Sequence, residues 1–292
     1  MNFADRLFTE VESRKSVVVV GLDPRVPMLP SELTKDFPSG DVAGAARAIY
    51  EFNKGLIDAV AEYAVAVKPQ IAFYEQLGLP GLNAFAQTCA YASAHGLLVI
   101  ADAKRGDIGT TAEAYADAFL GGPFASDAMT VNPYLGTDAL VPFVAKCQDN
   151  FGLFILVRTS NKGAVDFQDL PTGDCKLYEK VADLVAGIGK GAIGSKGYSS
   201  VGAVVGATWP GELSALRRRI PSVPFLVPGY GAQGGTAADI RGAFDQHGLG
   251  AIVNSSREIC FAFRKKNVDD WKGAAAQEAK RMRDEFRSIL GW

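Results

Sequence analysis

Leu97-Leu98-Val99-Ile100-Ala101-Asp102-Ala103-Lys104 begins as four apolar residues and ends on a carboxylate and an ammonium, after which Arg105-Gly106-Asp107-Ile108-Gly109 leads away. Side chains alternate along a strand, so Asp102 and Lys104 share a face, and it is the face that a buried strand turns toward its core. Burying such charges is unfavourable unless they are paired or used. The same signature, a short apolar run closed by a polar residue or a turn, recurs along the chain. The runs are Ser16–Asp23, Tyr63–Lys68, Leu97–Lys104, Asp127–Pro133, Gly152–Ser160, Val201–Thr208, Pro224–Tyr230 and Gly250–Arg257. Most are separated by one helix-length segment, such as Ala43–Asp58, Leu82–His95 or Thr110–Leu120. Continuous Val/Ile/Leu/Ala runs alternating with helices indicate a parallel sheet covered on its outer face.

Eight such units within 292 residues fit a closed α/β barrel, the (β/α)8 TIM barrel, better than an open doubly wound sheet. No linker divides the chain, so residues 1–292 are expected to form a single domain. Leu7, Phe8 and Val11 recur at helical spacing and predict an N-terminal helix, while 269–292 predicts the last covering helix. The about forty residues between Ser160 and the sixth run predict a long loop after strand 5, of the length that often forms a lid. In a barrel the chemistry sits at the carboxyl ends of the strands. Those ends here carry Asp23, Lys68, Asp102 with Lys104, Asn132, Ser160, Thr208, Gln233 just after the seventh run, and Arg257. One or two polar strand ends would be unremarkable, but packing does not explain one at nearly every run.

A composition of 48% hydrophobic residues supports a full core, and a net charge of -2 gives no reason to expect nucleic acid or an anionic membrane surface as a partner. Any anionic ligand must be held locally. The four cysteines, Cys89, Cys147, Cys175 and Cys260, form no C-x-x-C pair and no metal-ligand spacing, and read as reduced packing residues of a cytoplasmic protein. The opening MNFADRLFTEVESRK lacks the uninterrupted apolar stretch of a secretory signal. No run approaches membrane-spanning length.

Two features mislead. Gly189-Lys190-Gly191-Ala192-Ile193-Gly194 matches G-x-G-x-x-G, but it follows the helical stretch Leu177–Ile188 and precedes a strand, the reverse of a dinucleotide site. His95 and His247 each stand just before a glycine and a strand, which places them at helix ends on the amino-terminal face. Chemistry without histidine argues against triad hydrolases and His-ligated zinc enzymes.

Pro228-Gly229-Tyr230-Gly231-Ala232-Gln233-Gly234-Gly235 follows the seventh run and Asn254-Ser255-Ser256-Arg257 closes the eighth, the recurrent phosphate position of this fold. Arg257 can add a forked contact. A structural ion-pair network could account for Lys104 between Asp102 and Asp107, but Lys68 and Asp23 also end strands, so the barrel mouth is expected to hold alternating carboxylates and ammoniums. Flanking carboxylates keep a lysine protonated, as a proton donor or fixed cation.

Asp102-x-Lys104-x-x-Asp107-Ile108, with Lys68 and Asp23 upstream, Ser160 after the fifth run, Gly231-Ala232-Gln233-Gly234-Gly235 and Arg257, resembles the orotidine 5'-phosphate decarboxylase family over nearly the whole chain. Val131-Asn132-Pro133-Tyr134-Leu135-Gly136 and Asn254-Ser255-Ser256-Arg257 resemble its longer bacterial branch. The resemblance implies removal of carbon dioxide from orotidine 5'-monophosphate to give uridine 5'-monophosphate, without cofactor or metal. It implies that Lys104 protonates C6 of the pyrimidine, with Asp102 against the departing carboxylate. Lys68 and Asp23 would complete the charged array and touch the ribose. Ser160 would read the pyrimidine, and Gln233 and Arg257 would hold the phosphate. It also implies a homodimer in which Asp107, Ile108 and Thr111 serve the neighbouring subunit's site.

Three other readings compete. A phosphate-sugar decarboxylase or aldolase on the same barrel, often using magnesium, would lose activity to a chelator and has less reason for Ser160 and Gln233 together. A Schiff-base aldolase needs a neutral lysine in an apolar setting and would be trapped by borohydride. A barrel that senses uridine phosphates would bind them without turnover.

Overall fold

In the computed structural model, which describes residues 1–35, 37–231 and 235–292, each apolar run contains, to within a residue at its end, one strand of a closed parallel barrel. The strands are β1 (Val18–Leu22), β2 (Ala66–Pro69), β3 (Leu98–Arg105), β4 (Ala128–Val131), β5 (Gly152–Arg158), β6 (Val201–Val205), β7 (Phe225–Val227) and β8 (Ala251–Ser255). They follow one another around the barrel in chain order, and β1 closes it against β8, with Val18 opposite Val253 and Val20 opposite Ser255. Every residue of β1, β2, β4, β6, β7 and β8 is buried. Strands covered on both faces need no polar alternation, which is why they read as unbroken apolar runs.

The covering helices are α1 (Phe3–Arg14), α2 (Val42–Val60), α3 (Gly78–Ala94), α4 (Gly109–Phe119), α5 (Thr137–Ala145), α6 (Leu177–Gly189), α7 (Pro210–Arg219) and α8 (Trp271–Leu290). Their starts follow local chemistry: the Asn2, Asp41 and Asp270 side chains accept the N–H of Asp5, Gly44 and Gly273 and cap α1, α2 and α8. The β7–β8 connection carries a short helix, Ala237–Ile240.

Helix α1 lies across the amino-terminal end of the barrel. The Phe3 ring meets Phe154 of β5 edge-on at 6.0 Å, and the Asp5 carboxylate accepts the N–H of Ser195 and Lys196, each at 2.9 Å. The G-x-G-x-x-G match falls there, as a helix-to-strand connection whose Ala192 carbonyl accepts from Asn2 Nδ2 at 2.9 Å. His95 is the C-cap of α3, with Nδ1 2.8 Å from the Tyr91 carbonyl. His247 departs from expectation: it stands in a turn, its N–H on Asp245 Oδ1 at 2.8 Å, because the chain has already left its short helix.

The expected long loop after β5 is half structured. It makes a short helix (Val165–Gln168) and a two-stranded hairpin (Pro171–Thr172 with Cys175–Lys176), then runs directly into α6. Arg158, the last residue of β5, ties this segment down. Its fully buried guanidinium reaches Glu212 Oε2 at 2.6 Å and Asp169 Oδ2 at 3.3 Å, and lies 4.6 Å from the Trp209 ring centroid.

Candidate active site

Parity along the strands decides which side chains enter the barrel mouth. Gly21 stands opposite Lys68, and Gln70 bridges to Asp102, so Lys68 and Asp102 reach the same interior from neighbouring strands. They line a cavity of about 380 Å³ with Lys104 and Thr130, against apolar walls of Leu156, Val204, Leu226 and Pro228. The connection after β5 adds Thr159, Ser160 and Asn161. A larger hollow of about 690 Å³, beside Val26, Phe37 and Arg264, is lined by none of the charged strand ends. Size alone therefore does not locate the chemistry.

Asp102 is the hub. Its Oδ2 accepts from Lys68 Nζ at 2.6 Å, and its Oδ1 accepts from Lys104 Nζ and from Thr130 Oγ1, the latter at 3.1 Å. Burial pushes the Asp102 carboxyl up, but the two ammoniums outweigh it and hold the group well below the usual carboxylate range. Burial pushes Lys68 down, and the charges of Asp102 and Asp23 more than offset this, leaving it above its ordinary value. Both ends of this buried pair are therefore ionised across the neutral range. Lys104 differs from Lys68 in exposure: nearly half of its side chain is open to the cavity.

The backbone is unusual at the same point. Lys104 has φ +47°, in the left-handed region that side-chain-bearing residues seldom occupy. The β3–β4 ladder pairs Ala101 with Met129 and next Arg105 with Val131, so three residues of β3 face one of β4. Within this irregularity the Lys104 N–H donates to Thr130 Oγ1 at 2.9 Å.

The other expected residues divide into groups. Ser160 lines the cavity, and its carbonyl accepts from Thr208 Oγ1 at 3.3 Å. Asp23 follows directly on β1, with Oδ1 buried and without a hydrogen-bond partner among the described residues, near enough to act on Lys68. Asn132 turns back on its own connection, Oδ1 accepting the Tyr134 N–H at 3.0 Å. Asp107, Ile108 and Thr111 do not line this cavity. Asp107 Oδ1 accepts the Ile108 N–H at 2.8 Å, and Ile108 and Thr111 are exposed at the start of α4. The charged strand ends gathered within one chain are Asp23, Lys68, Asp102 and Lys104, while the hydrogen bond that Asp107 makes is to the Ile108 N–H beside it.

Arg257 is exposed at the first residue of the short helix Arg257–Cys260. A Cβ at Gly231 would lie 3.0 Å from Glu258 Cγ, so the loops after β7 and β8 adjoin. Gly21 serves the same mouth: a Cβ there would come within 1.9 Å of Ser256 Oγ. Gln233 lies outside the described residues.

Thr130, Leu156, Thr159, Asn161, Val204, Leu226 and Pro228 were not among the expected site residues. Thr130 had a usable signal, a hydroxyl inside an apolar run, whereas the aliphatic residues look the same in sequence whether they pack or line a ligand cavity.

Chemically, the lysines lining the cavity can attract an anionic group, and the exposed Lys104 side chain can present its ammonium to a neighbouring atom. It does not suit Schiff-base chemistry, which needs a neutral amine in an apolar setting. Among the described residues no three or more His, Cys, Asp or Glu side chains are grouped to hold a metal ion.

Comparison with known proteins agrees on one family. Residues 18–268 match the model of the orotidine 5'-phosphate decarboxylase / HUMPS family. The chain is 43% identical over 300 residues to the orotidine 5'-phosphate decarboxylase of Rhodopirellula baltica, covering 98% of this chain and 99% of that protein. It is 44% identical over 292 residues to the enzyme of the same name from Clostridium perfringens, with coverage of 98% and 99%. The solved structure of Leishmania donovani OMP decarboxylase superposes with a TM-score of 0.81 at 34% identity, covering 100% of both chains.

Proposed function

The chain belongs to the orotidine 5'-phosphate decarboxylase / HUMPS family, and on that footing we propose that Lys104 is the proton donor of its reaction, in a charged array with Asp102, Lys68 and Asp23. The enzyme is a carboxy-lyase of pyrimidine nucleotide biosynthesis, converting orotidine 5'-monophosphate to uridine 5'-monophosphate and carbon dioxide. The observation that carries the assignment of roles is Asp102, gripped by two lysines that both line the cavity, Lys68 nearly buried and Lys104 with almost half of its side chain exposed.

The C6–carboxylate bond breaks and its electron pair stays on C6, where the ring offers little delocalisation. A positioned ammonium stabilises that developing charge and then supplies the proton, after which water reprotonates the lysine. Asp102 holds Lys104 against the leaving group. The scheme uses no cofactor, since both the positive field and the proton come from lysines. Ser160 reads the pyrimidine, and Gln233 and Arg257 hold the phosphate. That group is remote from the reacting carbon, so it contributes binding energy toward closing the site and orienting the ring.

Residues 1–292 act as one barrel unit in this reading, supported by the closure of β1 against β8. The working form is a homodimer in which Asp107, Ile108 and Thr111 complete the neighbour's site. Supporting this, a side chain at Gly106 would meet the Asn132 carbonyl, so exposed Ile108, Tyr134 and Leu135 stand on adjoining connections. A cytoplasmic setting accords with four free cysteines, and among the described residues no helix is long and apolar enough to cross a membrane.

The test is the ultraviolet absorbance change of purified protein with orotidine 5'-monophosphate and EDTA, beside Lys104→Ala. Turnover by wild type that drops by at least about 10²–10⁴-fold in the variant supports the assignment. Absence of turnover by folded wild type overturns it.

A further inference from the structure

The left-handed backbone at Lys104 has to be held by something, since a residue with a side chain keeps that conformation only where its surroundings over-determine it. The irregular β3–β4 ladder gives the Lys104 N–H no regular partner, and the hydroxyl of buried Thr130 takes it at 2.9 Å. The same hydroxyl lies 3.1 Å from Asp102 Oδ1. Its proton can go one way only. The Lys104 amide is a donor, so the oxygen accepts there, and the ionised carboxylate is an acceptor, so the hydroxyl donates to it. One hydroxyl therefore joins the main chain of one charged residue to the side chain of the other, and does so on a β-branched residue whose rotamer is stiff.

We propose that Thr130 is a positioning residue for the decarboxylation, locking the Lys104 backbone and the Asp102 carboxylate in one register through its hydroxyl. The inference rests on the reading of Lys104 and Asp102 given above. Thr130 contributes no proton to the reaction. It fixes the direction in which the Lys104 stem leaves the strand and the orientation of the carboxylate that the ammonium meets. Without the hydroxyl the ion pair between Lys104 and Asp102 can still form, but nothing ties it to the strained turn. The ammonium then samples positions away from the reacting carbon. A misplacement on the order of 1 Å at a reacting centre costs about 10²-fold in rate.

Thr130→Val keeps the shape of the side chain and removes the hydroxyl, and Thr130→Ser keeps the hydroxyl. Steady-state decarboxylation and uridine 5'-monophosphate binding are measured for wild type and both variants. Expected for Thr130→Val is a kcat reduced by about 10–100-fold with product affinity changed by less than about threefold, and for Thr130→Ser a kcat within about threefold of wild type. A Thr130→Val kcat within about twofold of wild type overturns the proposal. So does a parallel loss of kcat and product affinity that Thr130→Ser fails to restore, which is the mark of a packing role. If Thr130→Val does not fold, Thr130→Ala measured beside Thr130→Ser carries the same comparison. Wild type without turnover removes the functional reading, and this inference with it. Active wild type with an undiminished Thr130→Val removes the inference alone.

Discussion

Asp102 receives three donors on two oxygens while almost wholly buried, and the balance of burial against charge there sets measurable behaviour. Its carboxyl is held below its ordinary value, so its stabilisation is fully present above the unfolded value of about 4 and is lost as pH falls through the folded one. Lys68 is held above its ordinary value, so its share is present below about 10.4 and lost as pH rises through the folded value. Between those limits this pair adds no slope to a stability–pH curve. Asp102→Asn leaves a buried ammonium short of its main partner and should destabilise by about 3–5 kcal/mol at neutral pH. Urea unfolding at several pH values checks both statements: the variant should lose stability less steeply below about pH 4 than wild type. Equal acid slopes in the two proteins would show that Asp102 is not ionised in the buried pair.

The segment between β5 and α6 shows how a connection can be long in sequence and yet pinned. Gln168 folds back so that its Oε1 accepts the Thr159 N–H at 2.9 Å and its Nε2 donates to Thr159 Oγ1 at 2.7 Å. Trp209 Nε1 holds the Thr159 carbonyl at 3.3 Å. These bonds set the edge on which Ser160 and Asn161 meet the cavity. Gln168→Ala removes two of them, each with a net worth of about 1 kcal/mol, so KM should rise by about three- to thirtyfold with kcat changed far less. Kinetics of that variant decide the matter, and an unchanged KM would mean that the segment is held without Gln168. The sequence marked this connection by its length, but the bonds of one side chain to a residue nine positions away follow no periodicity. The β3 irregularity was likewise unreadable. Ala101-Asp102-Ala103-Lys104 alternates like any strand, and its left-handed residue is a lysine rather than the glycine that would have announced it.

Closing β1 against β8 brings residues from both ends of the chain to one mouth, while Asp107, Ile108 and Thr111 are not among the residues lining the cavity there. If they complete a neighbour's site, two dead variants can rescue each other. A hybrid of Lys104→Ala and Asp107→Ala chains holds one site with both residues intact, so random re-pairing should restore roughly a quarter of wild-type activity per site. Activity of a refolded mixture against each variant alone is the measurement. No recovery would mean that each site is built from a single chain.

The sequence alone determined the barrel, because buried parallel strands need continuous apolar runs and covering helices need helical spacing, and both patterns are local. It also marked Asp102, Lys104 and Lys68, since charges ending apolar strands are too unfavourable to be incidental. What only the tertiary structure decided is which neighbour answers which charge. Thr130 meets Lys104 because a ladder shifts register, and Asp107 takes the N–H of Ile108 beside it. Such pairings depend on strand register and on the direction in which each side chain leaves the backbone. Those are properties of the closed sheet and have no counterpart in any single run of residues.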